Sequence, residues 1–467
     1  MKSMLFSSKR YQRKNMKTSK WNLESWQKCP IEQHPGWSDE QQINETTSAI
    51  KQNPPLVFKN EILLLKDRLR DAYSNQDYII QGGDCAETFA DFNSELIKNK
   101  LNILLQMSVV LSYGTSKKTI RIGRIAGQFA KPRTESTEIV NNIEYPSYKG
   151  DAVNSFNLSL KSREPNPSRM LDAYNHSSYT LNLIRSIINE GYTNIYNANE
   201  WDLRFIQDSK QAKKYHEIIN EIQKALLFIK TIGASAKKNP PLELNEFFTS
   251  HESLLLEYEQ ALTRYDATDK KYYNHSAHMV WVGDRTRDIN GAHVEFVSGI
   301  ENPIGIKIGP SIDKDELIDI IKKINPKNEK GKIILISRLG VDNIENTLPG
   351  LIKKIQDNNL HTIWLCDPMH GNTYKNKYGY KTRHFDTIIK ELELYMKIHS
   401  AHKSHAGGIH IEFTSEDVTE CLGGIQNIDD ESLLSRYETA CDPRLNNKQS
   451  LELIFKLTEL INRRKNV

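Results

Sequence analysis

Eight short β-rich runs, spaced along the chain and mostly separated by helical patterns, constrain this sequence more than any other feature. They are "DYIIQ" (77–81), "TIRIGRI" (119–125), "TNIYNAN" (193–199), "AHMVWVG" (277–283), "IGIKIG" (304–309), "KIILIS" (332–337), "HTIWLC" (361–366) and "GGIHIEF" (407–413). Strands that alternate with helices pair in parallel, because the chain must cross back over the sheet before the next strand begins. Eight such units are what a closed (β/α)8 barrel requires, and that α/β fold is expected here, with an open doubly wound sheet as the alternative. Helices are expected at 93–114, 168–191 and 314–326. Segment 201–265 is longer than a barrel helix needs, so "AKKYHEIINEIQKALLFIKTIG" reads as a helical insertion outside the ring.

The rest of the chain divides around this rhythm. Residues 1–20 form a basic, acid-free start expected to be a weakly ordered arm. An upstream start ahead of Met16 fits equally well, and an organelle-targeting segment is the third reading. Residues 21–70 read as a helical extension, and 71–467 as the barrel with its insertion around 205–250. A length of 467 residues suits one large decorated domain. With 63 Lys+Arg against 59 Asp+Glu the net charge is only +4, so there is no nucleic-acid footprint. No apolar run reaches the roughly 18 residues of a membrane span. The five cysteines, Cys29, Cys85, Cys366, Cys421 and Cys441, are scattered without a CxxC pair. That argues for a reducing, cytoplasmic setting.

Barrel chemistry gathers at the C-terminal ends of strands, and the predicted strand ends here carry two chemical groups. Cys85, His370, Glu412 and Asp442 offer S, N and O donors from four separate strand ends or loops. Such a mixed set suits a divalent transition metal with open positions and suits Mg²⁺ poorly. Taken singly, each has a plainer reading: an inert buried thiol, a hydrogen-bonded core histidine, an acid that caps a loop. Only their convergence on one rim favours a metal, since spacing across hundreds of residues is not diagnostic. The second group, Arg124, Arg285, Lys307 and Arg338, suits a small polyanion with phosphate or carboxylate groups. A solvated charge is the commoner fate of any one of them. Lys307 differs, because its apolar neighbours in "IGIKIGP" make an unpaired ammonium expensive. Lys131 and Arg133, in "AKPR", could clamp a second phosphate further along the rim. No Gly-rich nucleotide loop and no serine nucleophile elbow is present.

The blocks "QGGDCAETF", "GRIAGQFAKPR", "YKGDAVNSFN", "FFTSHESLLLEYEQALTR", "WVGDRTRDINGAHVEFVSGIENPIGIKIGP", "CDPMHGNT", "GGIHIEFTSEDVTECLGG" and "YETACDPRLN" carry a resemblance. They are similar to the class II (plant-type) 3-deoxy-D-arabino-heptulosonate 7-phosphate (DAHP) synthases, from about Trp21 to the C-terminus. The resemblance implies a metal-dependent (β/α)8 transferase that condenses phosphoenolpyruvate with erythrose 4-phosphate and releases phosphate, at the head of the shikimate pathway. It implies metal ligation by Cys85, His370, Glu412 and Asp442, with Mn²⁺ or Co²⁺ foremost and Zn²⁺ or Fe²⁺ as alternatives. Phosphoenolpyruvate would meet Arg124, Arg285, Lys307 and Arg338 beside Trp281 and Asp284. Erythrose 4-phosphate would meet Lys131, Arg133 and Thr134. Catalysis would rest on Lys307, Asp284 and His370. Two departures stand out, Asp284 in place of Glu and Thr134 in place of Ser, and the shorter acid puts in question how a nucleophilic water is held. The family also implies homo-oligomers, dimeric or tetrameric, and in some members an aromatic amino-acid effector. A related condensation in a secondary aromatic pathway, or a silent binding scaffold, are the rival readings.

Overall fold

The computed structural model describes residues 20–140, 142–189, 212–231 and 246–465. Eight parallel strands close into a barrel: β1 (Asp77–Gly83), β2 (Lys118–Arg124), β3 (Phe248–Glu252), β4 (Met279–Val282), β5 (Ile304–Ile308), β6 (Ile333–Ser337), β7 (Ile363–Cys366) and β8 (Gly408–Glu412). Each strand pairs with its neighbours in sequence, and β8 returns to β1. The expected closed barrel is therefore what the chain forms.

One expected strand is replaced. The run 193–199 lies outside the described residues, and the third place in the ring belongs to Phe248–Glu252, which pairs with β2 and β4. Its sequence, FTSHE, lacks the apolar run that marks a buried parallel strand. It is nonetheless buried, because its polar side chains find partners inside the protein. Ser250 donates to the Gly123 carbonyl at 3.2 Å, and Thr249 meets His278 at 3.0 Å. Burial of such groups is tolerable once they are hydrogen-bonded.

Helices surround the ring as amphipathic units. Ser94–Thr115 is capped by Asn93, whose side chain accepts from the Glu95 and Leu96 amides. Lys314–Ile324 is capped by Asp313 in the same way. Ala212–Thr231 forms the inserted helix and buries Ile219 and Ile222. No helix among the described residues is long and apolar enough to cross a membrane.

The N-terminal extension sets which mouth of the barrel is usable. Helix Lys59–Tyr73 packs Leu65, Leu69 and Ala72 into one cluster with the barrel residues Ile79, Ile120, Ile334 and Ile363. Its buried Lys66 reaches Glu329 at 2.6 Å and Glu301 at 3.2 Å, so the plug carries a paired charge. The opposite end stays open. There the register sets Gly83 level with Arg124 on one side and Glu412 on the other.

Closure between β8 and β1 leaves no room at Gly408, where a Cβ would lie 2.0 Å from the Ile79 carbonyl oxygen. Gly408→Ala is expected to cost roughly 2–3 kcal/mol of stability, read as a lower denaturation midpoint in urea with an unchanged slope.

Candidate active site

At the open mouth lies a cleft of about 670 Å³. It is lined by Cys85, Arg124, Lys131, Arg133, Thr134, Trp281, Asp284, Arg285, Lys307, Arg338, His370 and Asp442. Of the residues singled out from the sequence only Glu412 is missing from its surface, because it lies fully buried just beneath.

The donor atoms gather at one side. The Cys85 sulfur and carboxylate oxygens of Glu412 and Asp442 lie within 4.8 Å of one another. His370 adjoins them, its Nε2 3.0 Å from Glu412 Oε1. The Lys131 ammonium rests on these donors, 2.5 Å from Cys85 Sγ, 2.7 Å from Asp442 Oδ2 and 3.4 Å from Glu412 Oε1. A cation held at once by the three donors shows that the cluster is electrostatically built for positive charge. A mixed thiolate and carboxylate set with an adjacent imidazole also suits a divalent transition ion, so these residues fit a metal.

The surroundings hold each donor in place. Asp367 Oδ2 accepts from His370 Nδ1 at 2.7 Å, which leaves Nε2 as the ring nitrogen facing the cluster. Arg383 donates to Glu412 Oε2 at 2.8 Å, and Lys381 to Asp442 Oδ1 at 2.9 Å. The oxygens turned away from the cluster are therefore occupied. Burial would raise the Glu412 carboxyl, but His370, Lys131, Arg383 and Arg124 together hold it well below the usual range. Asp442 is likewise held low, its burial outweighed chiefly by Lys131. Burial, the hydrogen bond with Cys441 and the Glu412 charge push the Cys85 thiol up. A coordinating cation reverses that balance, since it ionises a bound thiol outright.

The other side of the cleft is cationic. Trp281 forms its floor, with the Arg124 guanidinium 5.3 Å and the Lys307 ammonium 5.9 Å from the ring centre. Arg124 donates to the carbonyls of Asp84 and Cys85 at 3.1 and 3.0 Å. Its third contact, 2.7 Å to His410 Nε2, fixes a tautomer by elimination. Arginine only donates, so Nε2 accepts and the ring proton sits on Nδ1, which donates to Gln81 Oε1 at 2.8 Å. Gln81 then donates to Ser250 Oγ at 2.9 Å. Burial, helped by Lys307 and Arg124, keeps His410 neutral, with its pKa well below the ordinary histidine range.

Lys307 pairs with the buried Asp367, the same carboxylate that orients His370. Arg338 donates to Asp284 Oδ2 at 2.9 Å and to the His370 carbonyl at 3.2 Å. Asp284 also receives Arg287 and the Gly309 amide, each at 3.0 Å. Both its oxygens are thus committed to holding arginines and backbone. Further out, Arg285 donates to Thr134 Oγ1 at 2.7 Å, and Arg133 pairs with Glu138 at 2.9 Å.

Four residues of this site were not singled out from the sequence. Asp367 stands three residues before His370 in "CDPMHGNT", and its signal was the short spacing of acid and imidazole. Lys381 and Arg383 come from the hairpin Tyr374–Lys375 and Lys381–Thr382 and its exit, where nothing local marks them. Glu252 ends a strand inside segment 201–265, where the sequence reading expected a helical insertion around 205–250 and no strand. Its carboxylate lines the cleft, and its buried Oε1 has no hydrogen-bond partner among the described residues. Burial raises its pKa against the pull of Lys307, Lys131, Arg285 and Arg124.

Burial also drives the Lys307 ammonium down to about 8. Below that value it is charged and attracts anions; above it the charge is lost. Affinity of the cleft for sulfate, whose own charge does not change over this range, is therefore expected to fall several-fold as the pH rises through about 8. In Lys307→Met, titration calorimetry should show weaker binding without that dependence.

A sequence model of the class-II DAHP synthetase family matches residues 21–458. A phospho-2-dehydro-3-deoxyheptonate aldolase of Neurospora crassa is 44% identical over 451 residues, which span 93% of each chain. Its counterpart in Streptomyces coelicolor is 41% identical over 446 residues, 96% of this chain and 98% of that one. One from Mycolicibacterium smegmatis is 41% identical, covering 92% of this chain and 93% of its own. With matches that run nearly from end to end, the chain belongs to the class-II DAHP synthetase family, and it is an enzyme of the transferase class.

Proposed function

We propose that the protein joins phosphoenolpyruvate to erythrose 4-phosphate, giving DAHP and inorganic phosphate, as a metal-dependent first step toward aromatic compounds. The observation that carries this reading is the shared wall of the cleft: a donor cluster for one cation lies against a cation-lined anion pocket, with Asp367 bonded to both His370 and Lys307. Cys85, His370, Glu412 and Asp442 would hold a divalent transition metal, Mn²⁺ or Co²⁺ foremost with Zn²⁺ or Fe²⁺ as alternatives, and when bound it supplies Lewis-acid polarisation of an aldehyde oxygen.

The protein's own residues do the remaining work. Arg124, Lys307, Arg285 and Arg338 bind the phosphate and carboxylate of phosphoenolpyruvate over Trp281. Arg133 and Thr134 take the second phosphate at the outer end, joined by Lys131, which rests on the donor cluster in the structure and would be released from it when a metal takes its place. Holding both reactants in one orientation removes much of the entropic barrier to bond formation. The C2=C3 π electrons form the bond from C3 to the aldehyde carbon, the aldehyde oxygen takes the displaced C=O electrons and then a proton, and C2, now electron-poor, accepts water. Glu252 is the acid placed to take the proton of that water, because it lines the cleft with its buried Oε1 unpartnered among the described residues, while both oxygens of Asp284 are engaged. Phosphate then leaves from C2 with the C–O bond electrons as the C2 hydroxyl gives up its proton and becomes the ketone of the product.

Following phosphoenolpyruvate loss by ultraviolet absorbance tests the reading. Consumption should require erythrose 4-phosphate, stop on chelation and return with Mn²⁺; absence of such consumption with any divalent metal would refute it. Glu252→Gln should lower kcat by about 10²–10⁴ with KM for phosphoenolpyruvate changed far less. Asp367→Asn should weaken Mn²⁺ binding by about 10–100-fold, as measured by equilibrium dialysis.

A further inference from the structure

Arg338 and His370 stand on adjacent loops, after β6 and β7, and those loops touch backbone to backbone. Gly340 has φ +79°, and a Cβ there would lie 2.6 Å from the Gly371 carbonyl oxygen. A Cβ on Gly371 would lie 2.3 Å from the Gly340 amide nitrogen. Glycine at both positions is what permits this approach. Arg338 adds a direct link through its hydrogen bond to the His370 carbonyl.

One side chain from outside the cleft fastens the pair. Glu391, fully buried on helix Phe385–Ala401, accepts the Gly340 amide on Oε1 at 3.0 Å and the Asn372 side-chain amide on Oε2 at 2.6 Å. Asn372 closes the loop of contacts, accepting from the Val341 amide at 3.0 Å and donating to the Pro368 carbonyl at 2.7 Å. Each oxygen of one carboxylate therefore serves a different loop.

We propose that Glu391 is a positioning residue that couples the metal cluster to the anion pocket, by making the loop of His370 and the loop of Arg338 move as one body. The inference rests on the metal and phosphoenolpyruvate reading above. A cation that draws His370 toward Glu412 and Asp442 then also sets Arg338, and an anion that settles on Arg338 steadies His370. Coupling of this kind is reciprocal: the factor by which phosphoenolpyruvate tightens Mn²⁺ binding equals the factor by which Mn²⁺ tightens phosphoenolpyruvate. Glu391 touches neither ligand, so loss of either binding contact cannot explain a change in that factor.

Glu391→Gln suits the test. Burial, with the Asp367 charge, pushes the Glu391 carboxyl up to about 8 against the pull of its hydrogen bonds. A neutral amide of the same shape removes that desolvation cost while leaving Asn372 facing a second amide instead of a carboxylate. The variant should fold with a cooperative thermal transition, its midpoint lowered by the one lost acceptor, and keep its kcat at saturating metal and substrate. Mn²⁺ dissociation constants, read from the paramagnetic resonance of free Mn²⁺ with and without phosphoenolpyruvate, should show the coupling factor cut at least about threefold. Asn372→Ala, as a second variant, should lose the same coupling, and the double variant should lose no more than either alone. An unchanged factor in both single variants, in an enzyme whose wild type shows coupling, overturns the proposal alone. A wild type that binds Mn²⁺ and turns over its substrates without any coupling does the same, whereas a wild type with neither property brings down the functional reading first.

Discussion

A fully buried carboxylate, Glu412, is the constraint around which this site is arranged. An isolated ionised group at such depth would be prohibitively costly. The protein meets that cost from four directions, with Arg124 from β2, Lys131 from the loop beyond it, His370 after β7 and Arg383 from the hairpin that follows. Satisfying one buried carboxylate thus dictates geometry, because each of those groups must come within reach of the same two oxygens. The loops are consequently built in relation to one another rather than independently.

A second buried acid extends the same logic. Asp367 takes Lys307 and His370 on a single oxygen, so the cation that meets an anion and the imidazole that meets the donor cluster share a counter-charge. In a water-poor setting such interactions are strong. The reactive groups are held before any substrate arrives, which is the physical content of preorganisation. Asp284 belongs to this scaffold too, since it spends its oxygens on Arg338, Arg287 and the Gly309 amide. Glu252 is the acid left with capacity to spare.

Much of this was legible in the sequence, and the parts that were not share a cause. Seven of the eight barrel strands announced themselves because parallel strands buried on both faces become apolar runs, as in "KIILIS". Phe248–Glu252 did not, since its interior positions are Thr, Ser and His, whose side chains hydrogen-bond to His278, to the Gly123 carbonyl and to Glu259. Glu252 was overlooked with it. Cys85, His370, Glu412 and Asp442 could be grouped because strand ends share one rim, a rule of topology rather than of spacing. Asp367, Lys381, Arg383 and Glu391 work by holding other protein groups in place, and pairwise contacts between distant positions leave no local mark in a single sequence.

Helix Lys59–Tyr73 has one more consequence. By packing into the lower end of the barrel it closes the mouth opposite the cleft, so among the described residues the cleft opens at the upper rim. Buried Trp281 lies deep in that cleft and exposed Thr134 with half-buried Arg133 lies at its outer end, a difference in depth that would vanish if the barrel were open at both mouths.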